Sequence, residues 1–531
     1  MEGRRPLLHG DRRRPGQPRR RLVLSPPAVP RPADQEPCGL LARRHGGRHT
    51  GEAAVSRAYD LVVIGGGSAG LTAARVAAGL GARVALVERA RLGGDCLWTG
   101  CVPSKALLHA AAEVHAARRV ARYGLPAATG PADWQAVTVH LRAAIGRIEP
   151  HDSSVALERL GVEVVHGVAR FGGPRHVDVE GRRLVFRHAL IATGSRPSLP
   201  TVPGLRDAAP LTTDTVWDLD RLPDRLLVVG GGASGCELAQ AFGRLGSHVT
   251  LLEAERRLLP AMDAAAGGLL ASRLTTEGVE VRTEGPLRAV RLGTAEFTDT
   301  EGAVRTVEFD HLLVTAGRMP NTDGLGLEQA GVLTDERGLI RADARLRTAN
   351  PRIHAAGDVT GRMPYTHVAG VQAADAVLGA LLGLRPRLDY GAVPYVVFTD
   401  PEVAQVGPTA EQAARVHGPG VRTRLLAHEE MDRAVTEDAT DGFTQLVLDP
   451  RGRILGATVV GPRAGEAIVE LAHAVRLRWT PRRLAATVHP YPTHADGPWL
   501  AALEEVHRAL AAPRSRVFTG SLLRLRRGVL R

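Results

Sequence analysis

One arrangement of apolar and polar positions occurs twice along the chain. Leu61-Val62-Val63-Ile64 is a short unbroken apolar run. A run of that length with no polar alternation reads as a strand buried on both faces. It enters Gly65-Gly66-Gly67-Ser68-Ala69-Gly70, then a helical stretch from Leu71 to Leu80, then Arg83-Val84-Ala85-Leu86-Val87-Glu88. The order returns at Arg225-Leu226-Leu227-Val228-Val229, Gly230-Gly231-Gly232-Ala233-Ser234-Gly235, a helix from Cys236 to Leu245, and His248-Val249-Thr250-Leu251-Leu252-Glu253. Strand, glycine turn, helix and strand in that order predict an α/β protein with two parallel sheets.

The turns add chemistry to this pattern. Gly65, Gly67 and Gly70, and likewise Gly230, Gly232 and Gly235, permit a tight turn and the close approach of a pyrophosphate to a helix N-terminus. Glu88 and Glu253 each stand 23 residues after the first glycine of their unit, the place of an acid that accepts from a ribose hydroxyl. Two complete fingerprints predict two bound dinucleotides.

Composition narrows the class. A chain of 531 residues that is 44% apolar has room for two to four domains and a large core. No run approaches the roughly 18–20 apolar residues of a membrane helix. The net charge of +12 is concentrated at the ends: residues 1–57 carry +8 and residues 513–531 carry +6, which leaves the body at −2. A near-neutral body gives no case for nucleic acid as its ligand. The first 57 residues are rich in Arg, Pro and Gly without periodicity and are expected to be disordered. Arg20-Arg21-Leu22-Val23-Leu24 is cut by Ser25-Pro26-Pro27, too soon for the apolar region of an export sequence. The basic end from Pro513 is expected to be a frayed, solvated tail; the competing reading is a short basic amphipathic segment that touches a membrane.

The four cysteines are Cys38, Cys96, Cys101 and Cys236, too few for a disulfide scaffold, so the close pair reads as catalytic or metal-binding in a reducing compartment. In a regular helix, positions five apart point about 140° apart with a rise of about 7.5 Å. A disulfide needs Cα atoms within about 7 Å. Cys96 is therefore expected before or at a distorted helix start, with Gly100 easing the bend. A structural zinc site would want four ligands, and Cys38 and Cys236 supply no matching pair; no metal site is expected. Four residues beyond Cys101 stands Lys105, the only lysine among 68 Lys+Arg. In a chain that uses arginine everywhere else, that position reads as one where a compact ammonium is needed. Two dinucleotides and a thiol pair suggest a relay from a nicotinamide, through a flavin, to a disulfide.

Over residues 58–512 the chain resembles the pyridine nucleotide–disulfide oxidoreductases of class I, a family that includes dihydrolipoamide dehydrogenase, glutathione reductase and mercuric reductase. The resemblance rests on the first fingerprint, Gly93-Gly94-Asp95-Cys96 through Cys101-Val102-Pro103-Ser104-Lys105, Ala192-Thr193-Gly194, the second fingerprint, Gly317-Arg318-Met319-Pro320-Asn321, Ala355-Ala356-Gly357-Asp358, and Phe398-Thr399-Asp400-Pro401-Glu402, in the family's order. It implies FAD on the first fingerprint and NAD(P)H on the second. It implies that Cys101 faces the flavin and Cys96 meets the substrate, and that Lys105 pairs with Glu237 beside the flavin. Ala169, Thr193, Gly194, Ser195, Gly317, Asp358 and His367 match cofactor-contacting positions, with Pro364 to His367 near the isoalloxazine. Glu253 favours NADH because it suits a free 2′-hydroxyl; Arg256 and Arg257 just beyond it read as surface charges.

The implied fold is two Rossmann-like dinucleotide-binding domains and a C-terminal α+β dimerisation domain. The expected boundaries are FAD-binding segments at 58–200 and 321–388, an inserted NAD(P)-binding domain at 201–320, and an interface domain at 389–512. Near its end the chain departs from most of these relatives. Where dihydrolipoamide dehydrogenases and glutathione reductases have a histidine base and an orienting glutamate, the strip His489-Pro490-Tyr491-Pro492-Thr493-His494-Ala495-Asp496 puts Tyr491 and Asp496. A tyrosine, with an ordinary pKa near ~10, is a poor proton acceptor; His489 and His494 are the substitutes. Tyrosine there resembles mercuric reductase, but residues 513–531 hold no cysteine pair to deliver metal. The expectation is a cytoplasmic homodimer acting on a small-molecule or small-thiol acceptor. A dihydrolipoamide dehydrogenase, an NADH:quinone reductase and a non-enzymatic redox sensor are the alternatives.

Overall fold

The computed structural model describes residues 58–529. The N-terminal basic segment, with Cys38 and the Arg20-Arg21 pair, lies outside the described residues, as does the expectation that it is disordered.

The first fingerprint opens a parallel sheet in the order Glu163–His166, Val84–Glu88, Tyr59–Ile64, Arg182–Ile191, with Ile353–Ala355 added in parallel beside Arg182–Ile191. Leu61, Val62, Val63 and Ile64 are all buried: Leu61 and Val63 pack under the Ser68–Gly79 and Thr366–Leu382 helices, and Val62 and Ile64 pack with Phe171, Val177 and Val179 on the other face. The last strand arrives from a segment more than 150 residues beyond the others. The sheet is thus built from two parts of the chain, and the second nucleotide-binding unit lies between them.

That second unit forms its own parallel sheet, ordered Glu280–Arg282, His248–Leu252, Arg225–Val229, His311–Val314. A short antiparallel ladder between Ser195–Pro197 and Arg318–Pro320 ties the two parts together. From Pro394 onward a five-stranded antiparallel sheet runs Pro394–Val397, Glu402–Val406, Ile454–Gly461, Phe443–Leu448, Arg422–Ala427. Helices Ala464–Arg476 and Asp496–Ala511 cover it, burying Ile468, Leu471, Ala501 and Ala502.

The C-terminal segment differs from the frayed tail expected of it. Pro513–Val529 is a 17-residue helix. Proline is preset for the first helical position, and the Leu and Arg that follow are good helix formers.

Candidate active site

The two cysteines sit on either side of a break. Cys96 lies in a five-residue helix, Gly94–Trp98, and Cys101 opens the long helix Cys101–Arg119. Between them Gly100 has φ −113° and ψ −113°, and a Cβ there would lie 2.8 Å from the Asp95 carbonyl oxygen. Glycine is therefore needed for the chain to fold back so tightly. On the other side, the Gly93 amide donates to the Gly66 carbonyl at 2.9 Å. Gly94 presses so closely on Gly67 that a Cβ would lie 2.7 Å from its Cα. The thiol turn is thus seated directly on the first fingerprint.

The two thiols interact with each other. Cys96 is half-buried and Cys101 exposed. The hydrogen bond from Cys96 lowers the Cys101 pKa to about 6, helped by Thr366 and the Lys105 cation and opposed by burial. The same bond, with burial, raises Cys96. Cys101 Sγ lies 3.4 Å from Thr366 Oγ1. In the reduced pair the thiolate resides on Cys101, and Cys96 holds the proton.

One turn further on, Lys105 Nζ is 2.9 Å from Glu237 Oε2. Glu237 is only 4% exposed, and its Oε1 accepts from the Phe398 amide at 2.9 Å. The ammonium also lies 4.5 Å from the centre of the Phe398 ring. One carboxylate oxygen is left for the cation. A point charge on a flexible stem suits that, whereas a guanidinium fork is built for two. The lone lysine acquires a physical reason here.

A second network joins the thiol turn to the sheet ends. Arg318 Nε donates to Ser195 Oγ at 2.7 Å, and Ser195 Oγ donates to Asp358 Oδ2 at 2.7 Å. Arg318 also pairs with Asp95, the residue before Cys96. Burial raises the Asp95 pKa, and Arg318 opposes the shift. Asn321 holds the neighbouring loop, its Nδ2 donating to the Thr193 carbonyl at 2.9 Å. Sequence reasoning used Arg318 and Asn321 only as family markers and gave Asp95 no role. The adjacency of Asp95 to Cys96 was the available clue.

Both fingerprints fit dinucleotides. The Ser68–Gly79 and Ala233–Leu245 helices begin at Gly67 and Gly232 with no side-chain cap and no acid in the first turn, leaving their first amides for an anion. Glu88 accepts from the Gly66 amide at 2.6 Å, and Glu253 from the Gly231 amide at 2.6 Å. A Cβ on Gly70 or Gly235 would lie 1.8 Å from the carbonyl oxygen of Gly65 or Gly230, so neither turn admits another residue. Thr193 Oγ1 is buried without a hydrogen-bond partner, an orphaned group beside the first fingerprint that suits a polar ligand. Gly194 and Gly317 have φ of 67° and 127°. Ala169 is buried at the start of a strand. His367 Nε2 lies 2.9 Å from the Pro394 carbonyl, and its ring stacks on Tyr365.

The C-terminal strip does not form the expected pair. The Tyr491 hydroxyl donates to Asp432, not to Asp496. Asp496 is buried and accepts from the Thr493 amide at 2.9 Å. The reason is local: the carboxylate closes the turn that starts the Asp496–Ala511 helix. Asp432 raises the Tyr491 pKa by hydrogen bond and charge. His489 and His494 are paired at 2.6 Å with Glu470 and 2.7 Å with Glu437. His494 is 6% exposed, so neither its position nor its partner offers it as a base at the surface.

Two nucleotide cradles converging on a thiol pair, with a lysine held by a buried glutamate behind it, define a flavin-dependent dithiol/disulfide oxidoreductase. The chain belongs to the pyridine nucleotide-disulphide oxidoreductase family: the family matches residues 59–373, and its dimerisation domain matches residues 393–502. It is 38% identical over 457 residues to a mercuric reductase of Streptomyces lividans, covering 84% of this chain and 95% of that one. It is 38% identical over 469 residues to a dihydrolipoyl dehydrogenase of Thermus scotoductus, covering 85% and 98%. Among solved structures it is similar to LpdA from Mycobacterium tuberculosis, with TM-score 0.76 and 30% identity over 84% of this chain and 99% of that one. It is also similar to the HOCl-induced flavoprotein disulfide reductase RclA from Escherichia coli, with TM-score 0.73 and 28% identity over 83% and 98%. The protein is an FAD-dependent enzyme that uses NAD(P)H and carries the family's dimerisation domain. Among the described residues no helix is long and apolar enough to cross a membrane.

Proposed function

We propose that the enzyme carries electrons from NADH through the Cys96/Cys101 pair to a soft metal ion held by thiolates, in the manner of a mercuric reductase. Glu88, the first amides of the Ser68–Gly79 helix, Ala169, Thr193, Gly194, Ser195, Gly317, Asp358 and His367 would hold FAD, and the second fingerprint the nicotinamide nucleotide. Bound FAD supplies the hydride acceptor for the nicotinamide and the electron donor for the disulfide. Lys105, fixed by Glu237, keeps a cation beside that chemistry. Cys96 stores the proton while Cys101 carries the charge.

The observation that carries the choice of acceptor is the Tyr491–Asp432 hydrogen bond. To reduce a disulfide, Cys96 must give up the proton it holds as it attacks, and a base must take that proton and return it to the departing substrate thiol. Tyr491, kept protonated by Asp432, is not such a base. Reduction of a thiolate-bound metal ion needs no separate base, because a departing thiolate ligand takes the proton that Cys96 holds. The Cys96/Cys101 pair closes to a disulfide, its electron pair passes to the ion, and the ion leaves reduced as its two ligands depart as one thiol and one thiolate. In the homodimer Tyr491, 72% exposed on the single chain, would meet the partner subunit's thiol pair.

NADH is favoured because Glu253 is buried and fixed by two amides, from Gly231 and Glu255. A 2′-phosphate would meet that carboxylate. Arg256 pairs with Glu284, and Arg257 turns to the Pro260 carbonyl.

The test is nucleotide oxidation by the FAD-loaded protein, run with NADH and with NADPH, against Hg(II) with excess thiol, lipoamide, glutathione disulfide and a quinone. Hg(II) is expected to turn over at least about tenfold faster than either disulfide, with NADH preferred, given the base that a dithiol/disulfide substrate requires. Faster turnover of lipoamide would overturn the reading. Bleaching of the flavin without turnover on any acceptor would replace it with a redox sensor.

A further inference from the structure

The Pro513–Val529 helix lies past the matched dimerisation domain, which ends at residue 502. Helical residues turn by about 100° each, so Phe518, Leu522, Leu525 and Val529 fall within an arc of about 60°. They are 66, 47, 67 and 78% exposed. The contrast is with Ala464–Arg476, whose apolar face buries Ile468, Leu471 and Ala474. Arg516, Arg524 and Arg527 stand on the opposite side of the stripe, and Arg526 flanks it; all four are exposed. Residues 513–529 hold five arginines and no acid. None of those four side chains pairs with a carboxylate among the described residues.

We propose that this helix docks on an anionic phospholipid surface. The apolar stripe would enter the boundary between headgroups and acyl chains, and the arginines would lie among the phosphates. A helix with low overall hydrophobicity, an arginine-rich polar side and Phe and Leu on the other is built to lie in that plane. Charge decides against a second copy as the occupant. Two such stripes pressed together would bring two sets of arginines side by side, with no acid on either helix to offset them. Nucleic acid would satisfy the arginines and leave the stripe in water. An anionic surface with an apolar interior meets both sides of the helix.

The experiment is co-sedimentation of the full-length FAD-loaded protein with vesicles of phosphatidylcholine alone or with phosphatidylglycerol added. The wild type should sediment with the anionic vesicles and stay in solution with the neutral ones. Leu522→Ser/Leu525→Ser and Arg524→Glu/Arg527→Glu should each lower binding at least about tenfold, with flavin content unchanged. The N-terminal arginines are present in every variant. If Leu522→Ser/Leu525→Ser still sediments like the wild type, binding comes from loose basic charge and the proposal fails. It fails equally if the wild type ignores anionic vesicles, or if either variant shifts the dimer mass in sedimentation velocity, which would make the stripe a protein interface.

Discussion

Lys105 and Glu237 show how far single residues could be read in advance. A lone lysine beside two cysteines marked chemistry, and the family resemblance named its partner. The structure supplies what sequence could not: Glu237 is buried, and one of its oxygens is already taken by the Phe398 amide. Lys105→Arg should therefore keep FAD bound but slow its reduction by NADH, by roughly tenfold or more. Stopped-flow flavin reduction at the wild-type rate would contradict this. The same cation helps to hold the Cys101 thiolate. Because the Cys101 pKa is lowered to about 6, its anion persists below the ordinary thiol range near ~8.5. Alkylation of the reduced protein at Cys101 should stay fast at neutral pH and fall as pH drops through about 6. A midpoint above pH ~8, the range of an unperturbed thiol, would contradict it. Tyr491 was less legible. Its hydrogen-bond partner is Asp432, 59 residues earlier, and no local spacing encodes that contact.

At the level of elements, the two strand–turn–helix units could be read in full because their rules are local. Each glycine is required by atoms a few residues away, and the apolar strands are buried as their composition demands. Gly235→Ala would drive a Cβ to 1.8 Å from the Gly230 carbonyl oxygen. It should raise KM for NADH by at least about tenfold, through lost approach of the pyrophosphate to the helix, while the flavin spectrum is unchanged. Loss of FAD instead would mean that the second turn also supports the first site. The break between Cys96 and Cys101 was also legible, since a continuous helix cannot bring positions five apart together. The tie from Arg318 through Asp95, Ser195 and Asp358 was not. It joins four segments brought together only by the folded sheets. The C-terminal segment is a helix and not the frayed tail expected, because the leucines and arginines after Pro513 favour helix despite their charge.

For the whole molecule, the class of enzyme was legible and the acceptor was not. Order of motifs along the chain carries the first; the second depends on what a partner subunit brings to the thiol pair. The central claim is that Cys96 and Cys101 form a redox centre in series with the flavin. Anaerobic titration of the FAD-loaded protein with NADH tests it directly. The wild type should take up two hydride equivalents, one for the flavin and one for the disulfide, and Cys96→Ser should take up one. Uptake of a single equivalent by both would contradict the account, because the thiol pair would then lie outside the path of the electrons.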